Sequence, residues 1–293
     1  MADGNPMNTS PNHTHTTHTH HCHLAPQPLR DQPSAVSIRA HNGLGDALFL
    51  TPTLRAIGES YPQTKVIVNT CWPEIFERSP FVHEITRERR GVFLKYPDPF
   101  SGIRPTKHII LHDWDIVKDA CGLDRLAPIA DVVPEIFFEY NRGGLDGPAG
   151  VQFERKRKWY GKKMWPHTQE LLGRSGFVPI PVKGGIKELA EFLTGCRAVV
   201  CDEGGIQHLC AALRVPCVVV YGGFIRPEHT GYSFHRNIAS RQVCSDGCYN
   251  IHPCKASLNK NDPPPCLLNI SVQTVIDAVN EIVSNEQEKL PKA

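Results

Sequence analysis

From Ala35 onward the apolar residues fall into short runs separated by longer amphipathic stretches. Ala35 to Ala40 and Lys65-Val-Ile-Val-Asn69 predict strands, with a helix from Ala47 to Glu59 between them that Pro52 should kink or shorten. Pro73 to Arg78 predicts a short helix, and His83-Glu-Ile-Thr86 and His108-Ile-Ile-Leu111 predict short strands. Trp114 to Cys121 predicts a helix closed by Gly122. The Gly/Pro-rich stretch Asn141 to Gly150 has the character of a linker, after which the rhythm restarts. A helix from His167 to Arg174, a strand from Phe177 to Val182 and a helix from Ile186 to Leu193 come first. Strand Arg197 to Cys201, helix Ile206 to Leu213 and strand Pro216 to Tyr221 follow. The closing helix, Val272 to Asn285, places Val272, Val275, Ile276, Val279 and Ile282 on one buried face.

Alternation of strand and helix implies parallel sheets covered on both faces, and two such halves bind their ligand in the cleft between them. The expected organisation is a tail over residues 1–34, a first α/β domain over 35–145 and a second over 146–293. The tail is polar and carries six histidines between His13 and His23. It cannot bury enough apolar surface to offset its ordering entropy, so it is expected to be disordered, with at most loose metal chelation.

Composition narrows the function classes. The chain has 293 residues, room for two domains with real cores. Its 32 Lys and Arg against 30 Asp and Glu leave a net charge of +2, which makes no electrostatic case for a nucleic-acid partner. The longest apolar run, Val215-Pro-Cys-Val-Val-Val-Tyr221, is far short of the ~20 residues that span a bilayer. The N-terminus lacks a basic start followed by an apolar stretch, so no transmembrane segment or secretory signal is expected and the cytoplasm is the expected location. Eleven cysteines, an odd number, then argue for reduced thiols or a metal and against a disulfide framework.

Candidate chemistry lies in two glycine turns. The first strand runs into Arg39-Ala-His-Asn-Gly43-Leu-Gly45-Asp46, where two glycines let the backbone approach a ligand and a helix N-terminus presents unpaired N–H groups. Asp46 stands at the mouth of that cradle. A G-x-G spacing also closes ordinary βα turns, so the first turn alone is weak. In the second half, Ala198-Val-Val-Cys201 leads into Asp202-Glu203-Gly204-Gly205, which opens a helix whose Ile206, Leu209 and Leu213 form the core stripe. His208 then projects from its first turn. A lone histidine there is usually a core residue, but strand, acid, two glycines, helix and histidine in that order favour a site.

A third feature is Cys244-x3-Cys248-x5-Cys254-x11-Cys266 in a loop rich in Asp, Asn and Pro. Four cysteines match the ligand count of a tetrahedral thiolate site for zinc or iron, though the spacing is not a standard C-x2-C pair and exposed free thiols are the simpler alternative. Cys201, Cys210 and Cys217 are small buried apolar residues by their context.

Gly43-Leu-Gly45-Asp46 with Thr51-Pro52 and Leu54-Arg55-Ala56, then Asp202-x-Gly204-x3-His208-Leu-x-Ala-Ala-Leu213, then Pro216 and Tyr221-Gly222, resemble the heptosyltransferase family of glycosyltransferases, glycosyltransferase family 9. Lys163-Met-Trp-Pro166 and Glu188 to Leu193 fit two further landmarks in the family's order, and the likeness runs from about residue 36 to 285. The resemblance implies an α/β chain of GT-B architecture, with two Rossmann-like domains facing across a cleft. It implies inverting transfer of a sugar from a nucleotide donor, commonly ADP-heptose, to a glycan or protein acceptor. Asp46 would be the general base, Lys163 a partner of the donor diphosphate, and Asp202 to His208, with Gly204 and Gly205, the holder of the nucleotide. Gly43 and Gly45 would clear space for acceptor and donor sugar.

Those roles agree with elementary chemistry. An inverting displacement needs one base opposite the leaving group, and a helix N-terminus with a lysine can stabilise a leaving diphosphate without a divalent metal. Asp202 and Glu203 would repel phosphate, so they are expected to meet hydroxyls or to cap the helix. Glu203 stands where the family usually has Thr or Ser. The chain is also short for the family between Leu111 and Gly150 and between Trp165 and Lys187, so both halves are expected to be compact or truncated.

The four cysteines are similar to the cysteine-bound iron of the autotransporter-modifying heptosyltransferases, which favours iron over zinc and suits a protein acceptor. An oligomer is compatible with all of this. The alternative is a non-catalytic nucleotide-sugar-binding or metal-organised assembly protein on the same fold. A Rossmann oxidoreductase is disfavoured, because Asp46 follows Gly45 directly and no acidic residue ends the second strand at Val68-Asn69.

Overall fold

The first strand, β1 (Ala35–Arg39), buries Val36 and Ile38 and leaves their neighbours more open, the period-two signature of a strand. The protein is described by a computed structural model covering residues 33–40, 42–95, 97, 103–152, 163–181, 184–240, 248–249, 254, 257 and 262–289, with side chains to 285. The His-rich tail expected over 1–34 lies, up to residue 32, outside the described residues.

Helix α1 (Leu44–Ser60) leads from β1 to β2 (Lys65–Asn69), which pairs with β1 in parallel so that Val36 faces Val66 and Ile38 faces Val68. Two short strands flank them, β3 (Glu84–Thr86) beside β2 and β4 (Val92–Phe93) beside β1, giving the parallel order β3-β2-β1-β4.

Of the two effects expected of Pro52, shortening does not occur: α1 runs on past it to Ser60. A proline at this position cannot donate to the carbonyl of Leu48. The Thr51 hydroxyl donates to that oxygen instead, at 2.8 Å, and the same oxygen of Thr51 accepts the N–H of Glu135 at 2.8 Å. The helix therefore continues for two more turns and buries Leu54, Ala56 and Ile57.

The stretch His108 to Leu111 is helix, not strand. Helix α2 (Ile109–Cys121) begins there because the His108 Nδ1 accepts the N–H of Ile110 at 3.3 Å, which caps the helix. Buried Ile109, Ile110, Asp113 and Val117 follow a helical spacing, and Gly122 at φ 63 closes the last turn in the left-handed conformation.

The expected linker ends in a buried strand, β5 (Ala149–Val151). Helix α3 (Thr168–Leu172), strand β6 (Phe177–Pro179), helix α4 (Ile186–Gly195), strand β7 (Val199–Asp202), helix α5 (Gly205–Leu213) and strand β8 (Cys217–Tyr221) follow the predicted alternation. Short α6 (Pro227–Thr230), strand β9 (Arg236–Ala239), short α7 (Pro265–Leu268) and long α8 (Val272–Lys289) complete the chain. The second sheet is parallel throughout, in the order β6-β5-β7-β8-β9.

The continuous apolar run of β8 is explained by cover on both faces. Cys217, Val219 and Tyr221 join Val199, Cys201, Leu193, Leu209 and Leu213 in one core, while Val218 and Val220 join Val200, Trp165, Leu267, Val275 and Val279 in another. The first of these cores is continuous with Val36, Ile38, Leu48, Leu54 and Val68 of the first sheet, so Pro33–Ala293 forms one compact unit around two sheets. Among the described residues no helix is long and apolar enough to cross a membrane.

The role of Thr51 is directly testable. Thr51→Val keeps the shape but leaves the Leu48 carbonyl and the Glu135 N–H without their partner, and we expect a loss of about 1–3 kcal/mol in denaturant unfolding. An unchanged midpoint would show that the hydroxyl is not what carries α1 past Pro52.

Candidate functional site

Gly43 precedes α1 in extended conformation and donates its N–H to Asp46 Oδ2 at 3.0 Å. Asp46 is the third residue of the helix, so its carboxylate occupies the position that satisfies an otherwise unpaired N-terminal donor and lies where the helix dipole favours negative charge. At the other turn Gly204 adopts φ 148, a region that glycine alone enters without strain, and α5 starts at Gly205.

These two turns meet. A β-carbon at Gly45 would stand 2.7 Å from Cδ2 of His208 and 3.8 Å from Cα of Gly205, and one at Gly205 would stand 3.1 Å from Cβ of Leu44. A larger residue at Gly45 would displace the His208 ring, and one at Gly205 would press on Leu44. The two glycine motifs, 159 residues apart between Gly45 and Gly204, are thus brought to one place.

His208 is the contact between them. Its ring is 1% exposed, lies 4.3 Å from the Phe49 ring of α1, and shares a 2.9 Å hydrogen bond from Nδ1 with the Tyr232 hydroxyl. Tyr232 also packs 5.5 Å from the ring of His108, the cap of α2. Burial holds the His208 imidazole well below its ordinary pKa, with the charges of His108, Lys163 and His235 adding to the effect, and burial lowers His108 to about 4. Both rings are therefore neutral at physiological pH. The structure gives His208 a packing contact between α1 and α5, where the sequence suggested a side chain turned toward nucleotide.

Lys163, Asp202 and Glu203 converge on the same end of α5. Trp165 anchors the segment: its ring is buried in the α8-side core, its Nε1 donates to the Ile270 carbonyl at 2.8 Å, and its backbone N–H donates to Asp202 Oδ1 at 3.1 Å. Two residues earlier, the Lys163 ammonium donates to the Glu203 carboxylate and lies 4.6 Å from the Phe224 ring centroid. The two ion-pair side chains are 14% and 10% exposed. Gln207, fully buried, ties this turn to the sheet by donating to the Tyr221 hydroxyl and the Thr230 carbonyl, each at 2.6 Å.

Asp113 is a residue that sequence reading passed over, since an acid inside a helix is unremarkable until its burial is known. It is fully buried, and neither carboxyl oxygen has a hydrogen-bond partner among the described residues. Burial first, and then the negative charge of Asp46, hold its pKa well above the usual carboxylate range. Phe49, His108, Phe224 and Tyr232 were likewise invisible as site neighbours, because each reaches the turns only through tertiary packing.

Of the four cysteines, Cys244 lies outside the described residues. Cys248 Sγ donates to the Gly223 carbonyl at 3.1 Å, and Cys266 Sγ accepts the N–H of the same Gly223 at 3.3 Å. Two of the four thus flank one residue, immediately before Phe224. Among the described residues no three His, Cys, Asp or Glu side chains form a group that could hold a metal ion.

Asp113 sets a pH dependence with a definite sign. Its folded-state pKa is raised above the ordinary 3.8, so the folded chain binds the proton more tightly than the unfolded chain. The stability this group contributes is complete below that value and is lost as pH rises toward the raised one. We expect the stability of Asp113→Asn relative to the parent chain to increase from about pH 4 to about pH 8 in thermal melts. A difference that does not change with pH would contradict a buried, proton-retaining Asp113.

Comparison with known proteins agrees with this geometry. Residues 166–264 match the sequence profile of glycosyltransferase family 9 (heptosyltransferase). No curated protein matches the chain by sequence. Among solved structures, ADP-heptose lps heptosyltransferase II of E. coli superposes with a TM-score of 0.60 at 15% identity, over 86% of this chain and 99% of that one. The iron-containing dodecameric glycosyltransferase TibC of enterotoxigenic E. coli H10407 superposes with a TM-score of 0.63 at 13% identity, over 87% of this chain and 77% of that one. TibC in complex with ADP-D-beta-D-heptose gives 0.61 at 14% identity over the same shares, 87% and 77%. Residues 166–264 thus match the glycosyltransferase family 9 (heptosyltransferase) model, and the chain shares the parallel two-sheet fold of these heptosyltransferase structures.

Proposed function

We propose that the chain is an inverting glycosyltransferase that moves a heptose-like sugar from a nucleotide-diphosphate donor, of the ADP-heptose kind, to a hydroxyl of a glycan or protein acceptor. The observation that carries this reading is the meeting of the two glycine turns, which puts the Asp46 helix end against the N-terminus of α5. TibC has been solved with ADP-D-beta-D-heptose on the same fold, which supports the choice of donor.

In this reaction Asp46 takes the proton of the acceptor hydroxyl as that oxygen attacks the anomeric carbon. The bond from the anomeric carbon to the diphosphate oxygen breaks on the opposite face, and the electron pair leaves with the diphosphate. The N–H groups opening α5 and the Lys163 ammonium face the developing charge, so no divalent metal is needed for transfer. Gly45 and Gly205 let the two backbones close around the reacting atoms. His208 holds them in register through Phe49 and Tyr232 rather than touching the donor.

Asp46→Asn separates chemistry from capping, because the amide oxygen still accepts the Gly43 N–H while the base is gone. We expect unchanged folding and donor binding with transfer reduced by about 100-fold or more. Transfer at the parent rate would remove Asp46 as the base.

The Cys244, Cys248, Cys254 and Cys266 loop is proposed to hold iron or zinc. Its support is the donor chemistry: a backbone N–H directed at Cys266 Sγ is the contact that steadies a thiolate, and Cys248 lies at the same residue. Bound there, the ion would brace the β8 exit that presents Phe224 to Lys163. Elemental analysis of protein lacking residues 1–32 is expected to find about one metal ion per chain, lost in Cys248→Ser and Cys266→Ser. Metal content near zero in the parent protein would eliminate the site.

The buried Lys163 and Glu203 pair also gives weight to a second reading, a nucleotide-sugar-binding protein without transfer activity. Slow hydrolysis of ADP- or UDP-sugars separates them, since only a catalytic site turns the donor over.

A further inference from the structure

Glu203 stands at the N-terminal end of α5. It is the residue before the Gly204 turn, so its carboxylate stands at the same helix end whose N–H groups serve an anion. That carboxylate is paired with the Lys163 ammonium, both side chains nearly buried, with Phe224 packed on the lysine. Asp202, 6% exposed, adds a second carboxylate one residue earlier and is tied to the Trp165 N–H.

The Lys163 ammonium is already met by the Glu203 carboxylate, and the partial positive charge of a helix N-terminus, about +0.5, is smaller than the full charge of that carboxylate. A diphosphate reaching Lys163 must share the ammonium with Glu203 in surroundings of low dielectric, where like charges a few ångströms apart repel strongly. A sugar on the second phosphate removes one of its charges, and a sugar hydroxyl can donate to the carboxylate and compensate it.

We propose that Glu203 is a specificity-determining residue of the donor site, whose carboxylate competes with phosphate oxygens for Lys163 and so favours a nucleotide sugar, whose second phosphate carries one charge fewer and a sugar, over a bare nucleoside diphosphate. This rests on the glycosyltransferase reading of the same site. Glu203 selects by opposing the wrong ligand as well as by binding the right one.

The test is calorimetric titration of the full chain and of Glu203→Gln with ADP, UDP, their sugars ADP-glucose and UDP-glucose, and adenosine, with melting curves to establish that both are folded. The glutamine still accepts a hydrogen bond from Lys163 but carries no charge. We expect Glu203→Gln to bind ADP or UDP about tenfold or more tightly than the parent chain, the size of removing one like charge beside the phosphates, with a smaller gain for the nucleotide sugars and adenosine affinity unchanged; an equal gain for the sugars would overturn the selectivity. Glu203→Asp, which keeps the charge, should remain near the parent affinity. If the parent binds ADP or UDP and Glu203→Gln binds them no better, the role of Glu203 is overturned while the glycosyltransferase reading stands. If neither protein binds ADP, UDP or their sugars, both are overturned together.

Discussion

The close approach of the α1 and α5 helix ends is the constraint on which the rest depends. It depends on glycine on both sides, because a β-carbon at Gly45 would clash with the His208 ring and one at Gly205 would press tightly on Leu44. It requires a flat, neutral, buried ring between them, which His208 provides by stacking near Phe49 and bonding to Tyr232. The two sheets share one core beside that contact, and the Asp46 carboxylate is held at the α1 end by the Gly43 N–H.

Electrostatics at this junction follow from burial. His108, His208 and His235 are kept neutral by desolvation, and Asp113 is kept protonated by desolvation with Asp46 nearby. The nearly buried Lys163 and Glu203 are paired with each other. The cysteine pair at Gly223 joins the same arrangement from behind, since Phe224, the next residue, packs on Lys163.

Much of this was legible in the sequence where local rules act alone. The β-branched runs of β1, β2 and β8, the helical stripe of α8 and both glycine turns announced themselves. Local rules failed where a side chain from elsewhere compensated the backbone. Pro52 was expected to kink or shorten α1 because the Thr51 hydroxyl on the Leu48 carbonyl has no sequence signal. The run His108-Ile-Ile-Leu111 looked like a strand because its β-branched residues outweigh a histidine cap that only structure reveals. Strands β4 and β9 were missed because they are short and only partly buried, so neither shows an apolar run. Lys163 and Glu203 were both singled out, but their pairing across 40 residues could not be read from spacing.

The central claim is that the two glycine turns form one donor site. Amide hydrogen exchange of the full chain, with and without ADP-heptose, tests it most directly, because it reports the backbone N–H groups of both helix ends in one experiment. The account predicts slowed exchange in residues 43–48 and 203–209 together, rising over the same range of ligand concentration. Protection confined to one turn, or appearing only elsewhere in the chain, would contradict it.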